Sequence, residues 1–309
     1  MPIKKVLFLG SKQLGVKVLS EMYFLSPETL IGIITIDDRN DTRSTLDDFR
    51  EFSKKNKIPF FVANNREHLE EIIRGLKPEL CFVCGWYWLI SKNILDSVPH
   101  GFIGIHNSLL PKYRGGAPLI WSIINGENEV GFSIFSFTPG MDDGPIWAQG
   151  SFKLEEVDYI SDVLKKLEQK TVAVLRDKYL PILTGTLRPI EQPHHEATYC
   201  AQRYPADGNI NWQQSAREIY NFIRSQSEPY PGAFTYWGSR MLKVWRARPF
   251  NSRYYGTPGQ VARISSEDVY VICGDNRAII LEEVEKDGRK GKAGEFVQSI
   301  QCRFSNMVK

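Results

Sequence analysis

The chain has 309 residues, of which 42% are hydrophobic and 12% aromatic, enough for a packed core and too many for a disordered protein. Its formal net charge of +3 is a small excess for a protein that would hold nucleic acid mainly through phosphates. No apolar run approaches the roughly 20 residues that cross a bilayer, and the first one, in MPIKKVLFLGS, is too short for a signal peptide. These features predict a cytoplasmic protein of one large domain or two ordinary ones, with no membrane partner.

Short apolar runs alternate with helical stretches in the first half of the chain. KKVLFLG is followed by LGVKVLSEM, and LIGIITI by LDDFREFSKKN, while ELCFVCG, GFIGIHN and VGFSIFSF are further near-continuous apolar runs. This alternation predicts an α/β domain with a parallel sheet and helices on both faces. Ligands bind beyond the carboxyl ends of the strands in such sheets, and His106 lies at one of these ends.

The second half changes in character after one more long helix. A helix is predicted from Asp162 to about Leu180, and the following segment, TLRPIEQPHHEATY, has the two prolines and mixed polarity of a linker. Ser215 and Glu218 have the spacing of a capping box at the start of another helix. The short runs MLKVWRARP, GQVARI, DVYVICG and AIILEEV then predict a small β-barrel. We therefore expect an α/β domain over residues 1–186, a linker over 187–204 and a barrel domain over 205–309.

Two pairs of residues have side chains of the types that bind metals, but the two pairs together do not have the spacing of a metal site. Cys81 and Cys84 form a CxxC inside an apolar run, and no second Cys or His pair has matching spacing, so buried thiols are expected. His194 and His195 lie in the predicted linker and are interpreted as surface histidines. No metal site is predicted.

A histidine and two acids form the main candidate for catalysis. Asp142 and Asp143 lie in a glycine-bounded turn after VGFSIFSF, and we expect this turn at the same sheet edge as His106 because both preceding strands are predicted to be parallel. A carboxylate beside an imidazole stabilises the protonated ring and fixes its tautomer, which suits general acid–base catalysis. The alternative is a histidine that only holds a loop.

The stretch HNSLLPKYRGGAPLIWSIINGE, with GMDDG following from Gly140, resembles the signature of formyltransferases that use 10-formyltetrahydrofolate, NxHxSLLPxxRGxxP followed by G-[LM]-D-x-G. RYPADGNINW, IRSQSEPYPGAF and GTPGQV are similar to the carboxyl-terminal domain of methionyl-tRNA formyltransferase and its relatives. The resemblance implies a Rossmann-like amino-terminal domain followed by an OB-like barrel, with 10-formyltetrahydrofolate as co-substrate.

The resemblance also implies residue roles. His106 matches the group that shuttles protons as the substrate amine attacks the formyl carbon, and Asp142 matches the aspartate that orients it, while Asp143 takes a variable position. The residues implied in folate binding are Trp88, Leu89, Ile90, Gly116, Thr138, Pro139, Gly140, Met141 and Asp142.

One position departs from the family pattern. The asparagine that stabilises the oxyanion lies two residues before the histidine, where this chain has Gly104. Losing one such donor typically costs about 100- to 1000-fold in rate. Either Asn107 supplies the amide, which requires the backbone to leave strand geometry at the histidine, or backbone N–H groups do, or the reaction differs. We expect that Gly104→Asn could restore the family arrangement. The hydrolase domain of 10-formyltetrahydrofolate dehydrogenase also lacks this asparagine.

The acceptor of the formyl group is inferred from charge. Residues 37–51 carry six acids and three Arg, a composition that cannot neutralise many phosphates, whereas transferases for initiator tRNA carry a longer basic insertion there. KYRGG and GWYWLI are similar to transferases for nucleotide-linked amino sugars, such as the amino-terminal domain of the bifunctional 4-amino-arabinose enzyme. A nucleotide-linked amino sugar is thus the predicted partner.

Three alternatives stay open at this point. The first is formylation of initiator methionyl-tRNA, to which the basic turn KDGRKGK could contribute. The second is hydrolysis of the folate donor, and the third is a non-catalytic folate or nucleotide-sugar binder. The particular sugar and nucleotide, and association into a homodimer, are also left open.

Overall fold

A computed structural model describes residues 2–306 of the chain. They form two compact units. The first contains residues up to Pro118 together with Glu129–Lys153 and Lys165–Cys200, and the second contains Leu119–Asn128, Leu154–Leu164 and residues from Ala201 onward. The domain boundaries inferred above, at residues 186 and 204, stay a prediction. Among residues 2–306, no helix has the length and apolar character required to cross a membrane.

The strands up to Cys200 build the first unit. They are β1 (Val6–Gly10), β2 (Leu30–Ile36), β3 (Phe60–Ala63), β4 (Leu80–Cys84), β5 (Phe102–His106), β6 (Arg114–Gly115), β7 (Glu129–Ser136), β8 (Ile146–Lys153) and β9 (Tyr199–Cys200). Seven of them form one sheet in the order β3-β2-β1-β4-β5-β7-β8, and β6 pairs with β9 separately. The first five strands of the sheet are parallel, which confirms the predicted α/β class with a Rossmann-like parallel sheet.

The direction of β7 differs from the expectation. It pairs antiparallel to β5, with Ser136 opposite Ile103 and Ser133 opposite His106, and β8 returns antiparallel to β7. The expectation that the strand before Asp142 is parallel to the strand before His106 is therefore wrong. An apolar run has the composition of a buried strand whichever way it points, so its direction could not be inferred from composition.

Helices connect the strands, and two of their ends are marked by residues typical of helix termini. Their bounds are α1 (Lys12–Leu25), α2 (Leu46–Asn56), α3 (Arg66–Leu76), α4 (Lys92–Leu95), α5 (Pro118–Ile124), α6 (Ile160–Thr184), α7 (Ala216–Gln226) and α8 (Ala293–Phe296). The predicted helix after Asp162 is confirmed as part of α6, and Gly185 follows it with a left-handed φ of 72°. The predicted capping box of α7 is also confirmed, with Ser215 and Glu218 reciprocally hydrogen bonded.

The second unit contains a curled antiparallel sheet. Its strands are β10 (Ala233–Trp237), β11 (Arg240–Arg253), β12 (Val261–Ile264), β13 (Val269–Ile272), β14 (Arg277–Lys286), β15 (Arg289–Lys292) and β16 (Phe304–Ser305). The order is β12-β13-β14-β11-β10-β16, with β15 beside β14. One isolated bridge joins Gln260 to Arg303. The α7 helix places Ile219 and Ile223 in the same core cluster as Leu242 of β11. The finer assignment of this unit as an OB-like barrel stays a prediction.

Candidate active site

His106 ends β5 at the carboxyl edge of the five parallel strands and is 9% exposed. Its Nε2 lies 2.7 Å from the backbone oxygen of Tyr113. Because a carbonyl oxygen only accepts, this contact places a proton on Nε2. The other ring nitrogen, Nδ1, lies 3.6 Å from Oδ2 of Asp142. The neutral ring therefore keeps Nδ1 free to accept a proton beside a carboxylate.

Buried hydrogen bonds anchor the loop that follows the histidine. Ser133 of β7 is opposite His106 and is fully buried, and its hydroxyl donates to the carbonyl of Ser108 at 2.7 Å. The same hydroxyl accepts from the N–H of Leu110 at 2.9 Å and from Nε2 of Gln149 at 2.8 Å. Gln149 also donates to the carbonyl of Leu110 at 2.9 Å. The sheet thus fixes the path of the backbone that leads to the Tyr113 carbonyl.

Asp142 reaches the histidine from the opposite end of β5. The loop after β7 begins at Phe137, whose N–H donates to the carbonyl of Phe102 at 2.8 Å, four residues before His106. Four strand residues span about 13 Å, so the loop runs back along the strand to bring Asp142 to the imidazole. The backbone of Asp142 is left-handed there, with φ 48°, and its Oδ2 accepts from the N–H of Gly115 at 2.8 Å. The predicted proximity exists, but the loop creates it rather than a shared strand direction.

The Phe137 ring explains why residue 104 is glycine. Phe102, Gly104 and His106 alternate onto one face of β5. A Cβ built at Gly104 would collide with the Phe137 ring, with Cζ at 2.8 Å. Phe137 also stacks on Phe102 and packs against Phe135, at ring-centroid distances of 6.4 and 5.2 Å. The returning loop therefore occupies the space that a side chain at position 104 would need, and Gly104→Asn alone does not fit this packing.

Asp143 has different surroundings from Asp142. Its Oδ1 accepts a short hydrogen bond from Oγ1 of Thr138, and a Cβ at Gly140 would meet its carboxylate. Asp143 therefore closes the loop on itself, whereas Asp142 points to His106 and Gly115.

Asn107 lies just beyond the end of β5, so the strand geometry stops at the histidine. Its Oδ1 is buried and has no hydrogen-bond partner among residues 2–306. A buried polar atom left unsatisfied typically costs about 1–3 kcal/mol. An amide that rotates by 180° about its last bond presents two N–H donors in place of the oxygen. This side chain is therefore free to take a polar partner.

The other residues predicted to bind folate lie on three loops. Trp88 packs edge-on against Trp86 at 5.5 Å, and both pack with Ile90 against the core cluster beneath β4 and β5, while Leu89 is 80% exposed. Gly116 donates its backbone N–H to the carbonyl of Cys200, and Thr138 donates its hydroxyl to Asp143. The remaining predicted residues are exposed: Pro139, Gly140 and Met141.

The cysteine thiols and His194 have surroundings that the structure defines. Burial, with a further contribution from Asp142, raises the pKa of the Cys200 thiol to about 11, so it stays protonated near neutrality. Burial also raises the pKa of Cys81 and Cys84. Among residues 2–306 no group of His, Cys, Asp and Glu is arranged to hold a metal ion. His194 lies 3.0 Å from Nη2 of Arg114 through its Nδ1.

The acidic segment 37–51 neutralises its own cations. Arg39 pairs with Asp37, Arg43 with Asp41 at 2.7 Å and Arg50 with Asp47 at 2.6 Å. Lys12, at the start of α1, lies 2.6 Å from Asp38 and 2.9 Å from Asp41. Burial lowers the pKa of Lys12, but hydrogen bonds to Asp38 and Asp41 outweigh this effect and raise it overall. The segment thus presents net negative charge.

Sequence reasoning missed Tyr113, which contacts His106, and Gln192, which contacts the Asp142 loop. It also missed Phe137, which begins that loop and packs against Gly104. Tyr113 acts through its backbone, which carries no residue-type signal. Gln192 lies in a segment without periodicity, and no motif pointed to it.

Comparison with known proteins gives a consistent result. The family model described as formyl transferase matches residues 34–178, and the model described as formyl transferase, C-terminal domain, matches residues 203–301. A methionyl-tRNA formyltransferase of Acetivibrio thermocellus is 29% identical over 299 residues, covering 95% of this chain and 96% of the relative.

Two further similarities are with a curated relative and with a solved structure. The bifunctional polymyxin resistance protein ArnA of Wigglesworthia glossinidia brevipalpis is 34% identical over 259 residues, covering 83% of this chain but only 39% of the relative. The solved structure of an N-formyltransferase from Helicobacter canadensis, in complex with folinic acid and dTDP-3-aminofucose, has a TM-score of 0.69 at 20% identity. It covers 90% of this chain and 98% of that one.

Proposed function

The chain belongs to the formyltransferase family, whose reaction takes a formyl group from a folate-type donor, and we propose that the acceptor is the amino group of a nucleotide-linked amino sugar. The observation that supports the chemistry is the pair of contacts made by the two ring nitrogens of His106, from which its tautomer is inferred. Tyr113 holds the proton on Nε2, and Nδ1 faces Asp142 at 3.6 Å.

The proposed reaction assigns a proton path to these groups. The substrate amine attacks the formyl carbon of 10-formyltetrahydrofolate, and Nδ1 of His106 accepts the proton that the amine loses. The nearby Asp142 carboxylate stabilises the imidazolium that forms. When the bond from the formyl carbon to N10 breaks, His106 returns the proton to N10. The products are the formylated amine and tetrahydrofolate.

Asp142→Asn is expected to lower the formyl-transfer rate at least about tenfold, equal to about 1.4 kcal/mol of activation free energy, because the imidazolium loses its facing charge. Asp143→Asn is the matched control and should have a much smaller effect, since Asp143 bonds Thr138 within its own loop. Steady-state rates over a range of pH give the measurement. Equal losses in the two variants would show that the two acids are wrongly distinguished.

The observation that favours a sugar over tRNA is the charge of residues 37–51. Every Arg of this segment pairs with an acid of the same segment, so little positive charge remains for phosphates. A second candidate acceptor, initiator methionyl-tRNA, is favoured by the 29% identical relative that matches this chain along almost its whole length.

A panel of acceptors separates these functions. With 10-formyltetrahydrofolate as donor, we expect turnover of dTDP- or UDP-linked amino sugars and weak affinity for initiator methionyl-tRNA at about 0.15 M salt. Efficient formylation of methionyl-tRNA would contradict the proposed acceptor. Donor consumption without any amine would indicate hydrolysis, and folate binding without product would indicate a binder.

Reversing two charges of the 37–51 segment tests whether its negative charge disfavours tRNA. Asp48 and Glu51 are exposed on α2, and the double variant Asp48→Lys/Glu51→Lys should bind tRNA more tightly, with a steeper dependence on salt. Turnover of the amino sugar should stay unchanged. A double variant whose tRNA affinity does not rise would remove the charge argument.

We also propose a cellular location and a finer fold assignment for the second unit. We place the protein in the cytoplasm, and we assign the second unit to an OB-like barrel, supported by the Gln260–Arg303 bridge.

A further inference from the structure

The loop that carries Asp142 returns over the sheet, so something must hold its far end in place. Two backbone carbonyls of this loop, those of Asp142 and Gly144, both accept from Nε2 of Gln192, at 2.9 and 2.7 Å. Gln192 is 4% exposed, and it lies about 50 residues further along the chain. One side-chain amide therefore holds both flanks of the turn at Asp142 and Asp143.

The other end of the Gln192 amide is held just as firmly. Its Oε1 accepts from Nε and Nη2 of Arg114, at 3.2 and 2.7 Å. Arg114 is 3% exposed and follows Tyr113, whose carbonyl orients His106. Gln192 thus links the strand-end loop that orients the imidazole with the loop that supplies the carboxylate. The orientation of the amide is defined, because a guanidinium only donates and a carbonyl only accepts.

We propose that Gln192 is a positioning residue for formyl transfer, which fixes the Asp142 carboxylate relative to the His106 ring. This inference rests on the proposed function, since it assumes that Asp142 acts on His106. It assigns a catalytic consequence to a segment that the sequence marked only as a linker.

Gln192→Glu is the discriminating variant. Glutamate keeps an oxygen for Arg114, and even adds an ion pair, but it replaces the donating NH₂ by an oxygen that faces two carbonyls. We expect kcat to fall about 10- to 100-fold, the scale of a small misplacement of reacting groups, with KM for donor and acceptor within about threefold of wild type. Gln192→Leu should behave similarly. Gln202→Glu, at an exposed glutamine that donates to the neighbouring Arg203 carbonyl, is the matched control and should leave both constants unchanged.

The outcome would be the opposite if Gln192 served only as a structural partner of Arg114. In that case Gln192→Glu would keep wild-type kcat while Gln192→Leu would lose soluble protein, and the positioning role would be overturned. A double variant tests whether Gln192 acts through Asp142. In an Asp142→Asn background, Gln192→Glu should cause little further loss of kcat. Fully additive losses would show that Gln192 acts independently of Asp142.

A spectroscopic arm separates this inference from the proposed function. The chain has 5 His, so the ring nitrogens of His106 can be assigned in a ¹H–¹⁵N spectrum of the folded protein at one fixed pH. Asp142→Asn should shift these signals, and Gln192→Glu should shift them in the same direction. If wild type forms no formylated product but Gln192→Glu shows this shift, the proposed function fails while the positioning stands. If product forms and Gln192→Glu leaves the signals at their wild-type positions, the positioning fails alone.

Discussion

Replacing His106 is expected to abolish most formyl transfer, with a loss of about 100- to 10,000-fold, the usual contribution of a positioned general acid–base group. The reason is the arrangement of the two ring nitrogens. Nε2 is committed to the Tyr113 carbonyl, and Nδ1 is the nitrogen that can accept the amine proton beside Asp142. Single-turnover rates with saturating donor and acceptor measure the loss, and folate binding should remain.

Two variants at this position distinguish chemistry from folding. His106→Ala removes both functions of the ring and takes the Nε2–H donor from the Tyr113 carbonyl. His106→Gln retains an NH₂ donor for that carbonyl but cannot accept a proton near neutrality, so it should be equally inactive with less structural cost. His195→Ala, at a side chain that is 81% exposed, is the control and should transfer formyl groups at the wild-type rate. A rate above about a tenth of wild type in His106→Gln would rule out the general-base role.

Asn107→Ala is expected to cost about 3–4 kcal/mol of transition-state stabilisation, equal to roughly 100- to 1000-fold in kcat, which is the range for one preorganised oxyanion donor. The structural support is its buried amide oxygen without a partner among residues 2–306, at the residue just after β5, because rotation of this amide would present its N–H donors instead. The affinity for 10-formyltetrahydrofolate should change little, because the Asn107 N–H forms its hydrogen bond only when the formyl oxygen gains charge.

The rescue of Asn107→Ala needs two substitutions rather than one. Gly104→Asn by itself would push its side chain into the Phe137 ring, so the single change should destabilise the protein instead of restoring the family arrangement. Gly104→Asn with Phe137→Ala opens that space, and in an Asn107→Ala background this pair should recover part of the rate. Phe137→Ala alone is the control for the lost packing. A kinetically silent Asn107→Ala, with a strong gain from Gly104→Asn/Phe137→Ala, would show that the natural protein lacks this donor.

Local patterns along the chain determined the helices and the buried strands. Near-continuous apolar runs predicted β1, β2, β4 and β5, and the Ser215–Glu218 spacing predicted the start of α7. His106 was found because a polar, titratable residue directly after an apolar run is a local feature. These inferences succeeded because strand burial and helix capping depend on residues close together in sequence.

The direction of β7 is a feature that local sequence patterns could not predict. Its eight residues have the composition of a buried strand, yet nothing local to them records that they pair antiparallel to β5. The proximity of Asp142 to His106 was consequently predicted for the wrong reason. The contact of the Phe137 ring with Gly104 is likewise a tertiary contact that no local pattern records.

By itself, then, the sequence determined the fold class of the first unit, the resemblance to formyltransferases and the two polar residues that are proposed to carry the chemistry, His106 and Asp142. Only the tertiary structure decided which atoms of those residues face each other and what holds them there. The hydrogen bonds from Gln192 to the Asp142 loop join positions about 50 residues apart. Such contacts depend on the path of the whole chain through space, and neither residue type nor spacing encodes that path.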